Sequence, residues 1–288
     1  MKSAEALAFR SESHSAPGRM WSGSLDLQFE RVGARTVIAR RRHSGPLLVQ
    51  RAFYEPDGGC QVYVIHPPGG VVAGDQLSLR VDLQPESRTL ITTPAATKIY
   101  ASSGACSLLT QDCVVSDGAV LELLPQETIL YDGARAQSST HVRLAQRAHF
   151  MGWEVLSLGR DERGFCEGQF VQRWRVERQG RLLWSERSAL TGGSPLLRAS
   201  WGLGGRRVLG TLVGTGAEQL PLESLREATA QLGTEDDWFS VTRLGEVLVC
   251  RYLGYSAETA KRLFSAAWTL SRRAVSGRNT SPPRIWAT

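Results

Sequence analysis

Lysine is almost missing from this chain. Lys2, Lys98 and Lys261 are the only three in 288 residues, so the net charge of +6 is carried by arginine. The arginines are dispersed among Glu and Asp, apart from short clusters such as Arg40-Arg41-Arg42 and Arg272-Arg273. That distribution favours solvated faces and Arg-rich protein interfaces over a nucleic-acid surface. Cysteine is scarce and odd in number: Cys60, Cys106, Cys113, Cys166 and Cys250 form no Cys-x-x-Cys pair, and no histidine cluster accompanies them. A disulfide framework and a zinc site are therefore not expected. Long apolar runs are missing as well. No stretch reaches the roughly 18 residues needed to span a bilayer, and the N-terminal segment carries Glu5 and Glu12 where a secretory leader has an apolar core. These absences predict a cytoplasmic protein without a membrane or nucleic-acid partner. Residues 1–21 are expected to form a flexible arm and residues 22–288 a single domain, long enough to bury a sizeable core.

Signatures of catalysis are also lacking. There is no Gly-x-Ser-x-Gly elbow for a serine hydrolase. The stretch "IHPPGGVVAGDQLSLRV", residues 65–81, places Gly69 five residues before Gly74, as a phosphate-binding loop does. Asp75 and Gln76 then stand where Lys and Ser/Thr are required, and a carboxylate there would repel phosphate. No Gly-x-Gly-x-x-Gly is present either, and a strand pattern follows instead of a helix. What remains is a tight turn in which Pro67, Pro68, Gly69, Gly70 and Gly74 bend the chain and deliver Asp75 to the start of the next strand. His66, His141 and His149 have no second ligand at metal spacing and are read as ordinary surface or core histidines.

What is present is a period of two. "SLDLQFER" puts Leu25, Leu27 and Phe29 on one face, and "LSLRVDLQ" does the same with Leu77, Leu79, Val81 and Leu83. Turn signals recur at Asp57-Gly58-Gly59, Asp117-Gly118, Asp132-Gly133 and Gln179-Gly180. Many short strands with close turns predict a mainly β, stacked or sandwiched body. Two helices are expected near the C-terminus. One starts with Pro221 in its first turn, carries Leu222, Leu225, Ala228, Thr229 and Leu232 on one stripe, and stops at Gly233. The other is capped by Ser256, buries Ala260, Leu263, Phe264, Ala267 and Leu270, and ends at Arg272-Arg273. In "LITTPAATKIYASSG", Thr92 and Thr93 suit strands or a hydroxyl-bonded turn, and Lys98 suits a snorkelling or carboxylate-paired role. The tail "SPPRIWAT" carries Ile285 and Trp286, whose apolar surface calls for a docking place on the protein's own sheet or on a partner.

Taken together, "HPPGGVVAGDQLSL", "TTPAATKIY", "LLPQETILYDGA", "SLGRDERGFCEGQF" and "LFSAAWTLSRRAVSGRNTSPPRIWAT" stand in the order and spacing of one family. Over roughly residues 22–288 the chain resembles the urease accessory proteins UreD, called UreH in some bacteria. Pro94 departs from the family's Thr-Thr-Gln-Ala-Ala-Thr-Lys pattern and removes a backbone donor and a side-chain amide there. The resemblance implies a β-helix-like stack of short strands with two helices in the C-terminal half. It implies a maturation scaffold, not an enzyme, that binds apo-urease and UreF, and UreG through UreF, and delivers nickel to the urease site through an internal passage.

No tightly bound cofactor is implied, only Ni²⁺ in transit. Such a route needs weak oxygen ligands, because a His/Cys cage would hold an ion that has to leave. Asp75 is the first candidate for its lining on motif position, followed by Glu122, Asp132, Glu154 and Glu167. Arg284, Ile285 and Trp286 are the candidates for partner contact, with closure of the protein's own core as the equal alternative for Trp286. From another class, a β-helical carbohydrate-active enzyme using paired carboxylates is the competing expectation.

Overall fold

The computed structural model describes residues 21–159, 164–218, 220–276, 278–280 and 282–287. The expected arm lies outside these residues except for Trp21, as do residues 160–163 of the "SLGRDERGFCEGQF" segment. In chain order the strands are β1 (Ser22–Val32), β2 (Arg35–Ser44), β3 (Leu48–Tyr54), β4 (Cys60–Ile65), β5 (Gln76–Leu83), β6 (Arg88–Thr92), β7 (Thr97–Ile99), β8 (Ser107–Val115) and β9 (Val120–Leu123). They continue as β10 (Thr128–Leu130), β11 (Arg135–Leu144), β12 (His149–Leu158), β13 (Gln169–Arg178), β14 (Arg181–Thr191), β15 (Val208–Thr215), β16 (Trp238–Leu244) and β17 (Val247–Gly254). Three helices interrupt or follow them: α1 (Pro195–Arg198), α2 (Leu222–Thr229) and α3 (Ala257–Ser276), with a 3₁₀ turn at Arg284–Ala287.

The strands stack as coils of a solenoid. One sheet runs β14-β13-β11-β8-β5-β1-β2 and the other β16-β17-β15-β12-β9-β6-β4-β3. In the middle of both, neighbours are parallel, because each coil repeats the same path one layer up: β5 on β8 on β11 on β13, and β6 on β9 on β12. The short β7 and β10 form a third run that continues onto the end of β12.

The corner between the sheets is one turn used three times. Ser87 N–H bonds Gln84 O at 3.2 Å, Ala119 N–H bonds Ser116 O at 3.0 Å, and Ala148 N–H bonds Ala145 O at 3.2 Å. Successive corners then bond to one another, Ser116 N–H to Leu83 O and Ala145 N–H to Val115 O, each at 2.9 Å. Antiparallel hairpins close the stack at its two ends, β1-β2 at one and β13-β14 with β15-β17-β16 at the other. Ladder bonds that would otherwise face outward from the parallel strands are thereby largely taken up.

Period-two patterning places the core between the sheets. Leu25, Leu27, Phe29, Leu79, Val81 and Leu83 point inward from the first sheet and meet Val62, Ile91, Leu121 and Phe150 from the second, all buried. The outer face of the second sheet is covered by α3. Ala260, Leu263, Phe264, Ala267 and Trp268 pack there with Met151, Trp153, Val155 and Leu212. Ser256 caps α3 as expected, its Oγ accepting Thr259 N–H at 3.1 Å.

The other predicted helix is shorter than its stripe. Pro221 sits extended just outside α2, and the helix ends at Thr229, whose hydroxyl bonds back to Leu225 O at 2.8 Å. The short α1 was not expected. Pro195 opens it just ahead of the Gly-rich stretch 198–216, whose apolar pieces read as strand. No helix among the described residues is long and apolar enough to cross a membrane.

Candidate functional site

Inward-facing positions of these strands are mostly aliphatic, and the exceptions gather in one place. On the second sheet Glu154 of β12 lies opposite Thr211 of β15, Thr211 opposite Arg251 of β17, and Arg251 opposite Ser240 of β16. Residues in such register share a face, so these four side chains form one polar row. Facing them on the first sheet are Ser138, Gln172 and Ser188, in register across β11, β13 and β14, with Gln111, Thr140, Trp174 and Glu186 one step along. The two rows wall a cavity of about 640 Å³ that opens to solvent beside β16 and is lined by Glu154, Gln172, Glu186, Ser188, Thr211 and Arg251 among others.

Two carboxylates in this cavity differ in their surroundings. Glu186 meets Arg251 across the gap: Nη1 donates to Oε1 at 3.1 Å, and Nη2 bonds Oε2 as well, making a two-pronged pair at the mouth. Glu154 lies deeper and has no cationic partner among the described residues. Trp174 Nε1 donates to its Oε2 at 3.3 Å. Burial pushes its pKa up to about 7, and the neighbouring Gln172 and Trp174 side chains offset only part of that. Glu154 is thus the one group in the belt whose charge is poised to change near neutrality.

A second, smaller cavity of about 110 Å³ lies further along the interior. It is walled by Leu77, Leu79, Leu109 and Gln111 of the first sheet and by Val64, His66, Ile91 and Thr93 on the other side. Gln111 links the two regions, since its Oε1 accepts a bond from Thr140 Oγ1 at 3.4 Å. Burial lowers the His66 pKa, and nearby Asp75 opposes that shift.

The Pro-Gly loop borders this cavity, and its geometry follows from its residues. Gly69 N–H closes a turn on His66 O at 3.3 Å. At Gly70 a Cβ would fall 2.2 Å from the Tyr100 ring, and Gly74 has φ +81°, where a side chain is strained. Asp75 is only 4 % exposed. Its Oδ2 accepts Val72 N–H at 3.0 Å, which ties the loop to the strand that follows.

The other predicted residues are spread over the molecule. Glu122 points to the opposite face of the second sheet, beneath α3, where its Oε1 accepts Trp268 Nε1 at 2.6 Å and lies 3.2 Å from Arg272 Nε. Burial raises its pKa, with Arg272 and Trp268 pulling the other way. Arg272 also reaches Glu55 Oε2 at 2.5 Å, and Arg278 joins Glu55 at 2.6 Å and Asp57 at 2.6 Å. Asp132 Oδ1 accepts the N–H groups of Cys166 and Glu167, both at 2.7 Å, while the Glu167 side chain is exposed.

In the tail, Arg284 is exposed, and Trp286 stacks on its own protein with ring centroids 5.4 Å from Trp153 and 5.5 Å from Trp268. Trp286 Nε1 donates to Thr92 Oγ1 at 3.0 Å, and that hydroxyl donates to Leu124 O. Thr93 Oγ1 accepts Gln126 N–H at 3.0 Å. Lys98, on β7, has no ion pair among the described residues and its carbonyl accepts Val71 N–H at 2.7 Å. Of the five carboxylates proposed as a lining, Glu154 stands in the large inter-sheet cavity and Asp75 beside the loop that borders the small one. Glu122, Asp132 and Glu167 lie elsewhere.

Sequence reasoning missed Gln172, Glu186, Thr211 and Arg251. Their signal was parity: Gln172 alternates with Phe170 and Trp174, and Glu186 with Trp184, at positions whose apolar neighbours face inward. The three buried thiols of Cys60, Cys113 and Cys250 are pushed up to about 12 by burial, so they stay protonated and are poor metal ligands. Among the described residues no three His, Cys, Asp or Glu side chains come together to hold a metal ion.

Comparison with known proteins finds relatives over nearly the whole chain. A family model described as UreD urease accessory protein matches residues 22–287. A urease accessory protein UreD of Azoarcus sp. (strain BH72) is 45% identical over 273 residues, covering 93% of this chain and 94% of that protein. The urease accessory protein UreD 2 of Brucella anthropi is 41% identical over 272 residues, with 93% and 98% covered. A third, from Chromohalobacter salexigens, is 41% identical over 285 residues, with 94% and 90% covered. With a family model matching residues 22–287 and relatives above 40% identity over 90% or more of their own length, this chain belongs to the UreD family of urease accessory proteins.

Proposed function

We propose that this chain acts in the cytoplasm as a non-catalytic scaffold in urease maturation. It binds apo-urease and UreF, with UreG held through UreF, and the space between its two sheets gives Ni²⁺ a route toward the urease site. The observation that carries the scaffold reading is the family match across residues 22–287. The polar belt supports the route: it is the part of the interior where oxygen donors replace aliphatic side chains.

The chemistry suits cargo in transit. Glu154, Thr211, Ser188 and the Gln172 carboxamide are oxygen ligands of modest strength for Ni²⁺, with no thiolate or imidazole among them. Gln111 and Thr140 continue the polar lining toward the smaller cavity. The carbohydrate-enzyme reading finds little here, because a glycosidase needs two carboxyl groups open to substrate and Glu186 is committed to Arg251.

The test is co-expression of urease subunits with UreF, UreG and either this chain or its Glu154→Gln variant. Wild type is expected to co-purify with UreF, and Glu154→Gln to keep that complex while lowering nickel per urease. Failure of wild type to hold UreF overturns the scaffold; full nickel loading by the variant overturns the route.

A further inference from the structure

Several surface arginines of this chain stand against a carboxylate: Arg143 on Asp112 at 2.9 Å, Arg147 on Asp117 at 2.7 Å and Arg175 on Glu177 at 2.9 Å. At the β2 end of the solenoid that pattern stops. Arg35, Arg40, Arg41 and Arg42 of β2 and Arg51 of β3 are all exposed, and among the described residues none of them makes an ion pair. Two lie over aromatic rings instead, Arg35 at 5.7 Å from the Tyr54 centroid and Arg51 at 4.6 Å from that of Phe53. Arg41 Nη1 donates to Val49 O at 2.7 Å. The acids of the neighbouring strand β1 are Asp26, opposite Arg42, and Glu30, opposite Val37. Asp57, near the start of β2, is taken by Arg278. Like charges this close repel one another, and a partner that supplies carboxylates relieves the repulsion.

The backbone is open there too. β2 is the last strand of the first sheet and pairs with β1 alone. A half-buried strand alternates covered and open positions, yet Ala39 to Ser44 are exposed without a break. In an antiparallel pair every second residue turns its N–H and C=O away from its neighbour. Among the described residues the outward amide of β2 that is bonded is Thr36 N–H, held by Gly58 O at 2.9 Å, ahead of the exposed run.

We propose that the outer edge of β2 over residues 39–44 is a docking site for an extended acidic segment of a partner protein, which adds as a further strand and sets carboxylates against Arg40 and Arg42. Spacing supports it. Arg40 and Arg42 lie opposite Gln28 and Asp26 of β1 on the outer face of the sheet, about 7 Å apart along the strand. An added strand with an acid at every second position has the same repeat. Length supports it as well, since the exposed run of strand spans about 20 Å, the size of an ordinary strand. Charge on an edge also keeps sheets from pairing at random, but that needs no row of adjacent arginines. A nucleic acid fits less well, because the rings on which bases would stack are covered: Tyr54 by Arg35, and Phe53 by Arg51 and by Tyr63, whose ring lies 4.7 Å away. The site lies outside the inter-sheet cavity and does not depend on a cation route.

The test is fluorescence anisotropy of a labelled peptide of alternating Glu and Val, about eight residues long, titrated with the full chain at low salt and neutral pH. Wild type is expected to bind it saturably. Arg42→Glu is expected to bind about tenfold more weakly and Arg42→Gln about threefold. The neutral variant serves as the reading should a second acid beside Asp26 disturb the hairpin. Arg187→Glu, on β14 at the opposite edge of the same sheet, changes the net charge equally and is expected to leave affinity unchanged. The same peptide N-methylated at alternate residues keeps every carboxylate but cannot complete a ladder, and is expected to bind about tenfold more weakly.

Absence of saturable binding by wild type overturns the site and leaves the arginines as guards of the edge. Equal binding by wild type, Arg42→Glu and Arg42→Gln overturns it too. Equal binding of the N-methylated peptide overturns strand addition. Displacement of the peptide by an equal concentration of single-stranded oligothymidine makes the patch a nucleic-acid surface and overturns the acidic partner.

Discussion

Glu122 and Glu154 are carried by adjacent strands of one sheet, yet they face opposite sides and live under opposite rules. Glu122 lies beneath α3 with Arg272 at 3.2 Å and Trp268 donating at 2.6 Å, inside a cluster that also includes Glu55, Asp57 and Arg278. Glu154 lies between the sheets with Trp174 donating at 3.3 Å, the Gln172 side chain hydrogen-bonding beside it and, among the described residues, no cation. Glu122 is buried and Glu154 half-buried, and desolvation raises the pKa of both. The first is part of the fastening that holds the C-terminal helix and tail to the solenoid. The second is left unfastened, and its charge is available for something else. A buried acid is thus better judged by its partners than by its depth.

The largest effect should come from removing the fastening. Arg272→Ala strips the guanidinium from Glu55 and Glu122, leaving two buried carboxylates with diminished compensation. Breaking a buried pair on one side costs about 3–5 kcal/mol, so denaturant unfolding should show a loss in that range. A loss under about 1 kcal/mol would show that α3 is held by its apolar face and not by this cluster.

The same experiment at Glu154 should give the opposite sign. Its pKa rises from the usual 4.5 to about 7 on folding. The fold therefore favours the protonated form: the related stability is complete below about pH 4.5 and is lost as pH rises through about 7. Glu154→Gln removes that loss. The variant should match wild type near pH 4.5 and exceed it at pH 8, by up to about 3 kcal/mol, in urea unfolding measured across that interval. A gap independent of pH would break the contrast with Glu122.

Much of this architecture is visible in the residues themselves. Alternation in "SLDLQFER" and "LSLRVDLQ" marks β1 and β5 together with their inward faces, and Ser256 with the stripe from Ala260 to Leu270 marks α3. Short elements escape: β7 and β10 have three residues each, too few for a period, and exist because parallel neighbours stack on them. The Glu55–Arg278 pair escapes for another reason, since 223 residues separate its members and no local pattern links them. The belt falls between these cases. Gln172 and Glu186 sit at inward parity, but only the register of facing strands shows that their row meets Glu154 and Arg251.

Trp286 offers a smaller probe of the fastened side. Trp286→Ala removes ring contacts with Trp153 and Trp268 and the bond to Thr92, and for a half-buried indole the loss should be about 2 kcal/mol. Deleting residues 281–288 should cost a similar amount and leave UreF co-purification intact. A stable truncation that no longer retains UreF would instead make the tail a partner contact.

Asp75 is where the two kinds of carboxyl meet, and its test separates them by the smallest margin. Its Oδ2 accepts Val72 N–H at 3.0 Å, a role that needs an oxygen but no charge. Asp75→Ala leaves that N–H short of an acceptor and should lose about 1–2 kcal/mol. Asp75→Asn keeps an amide oxygen in the same place and should lose under about 0.5 kcal/mol. Nickel loading of urease supplies the second axis. If Asn restores both stability and nickel content, Asp75 only secures the turn made by Pro67 to Gly74. If Asn restores stability while nickel stays low, the charge itself serves the interior, and Asp75 belongs with Glu154 instead of Glu122.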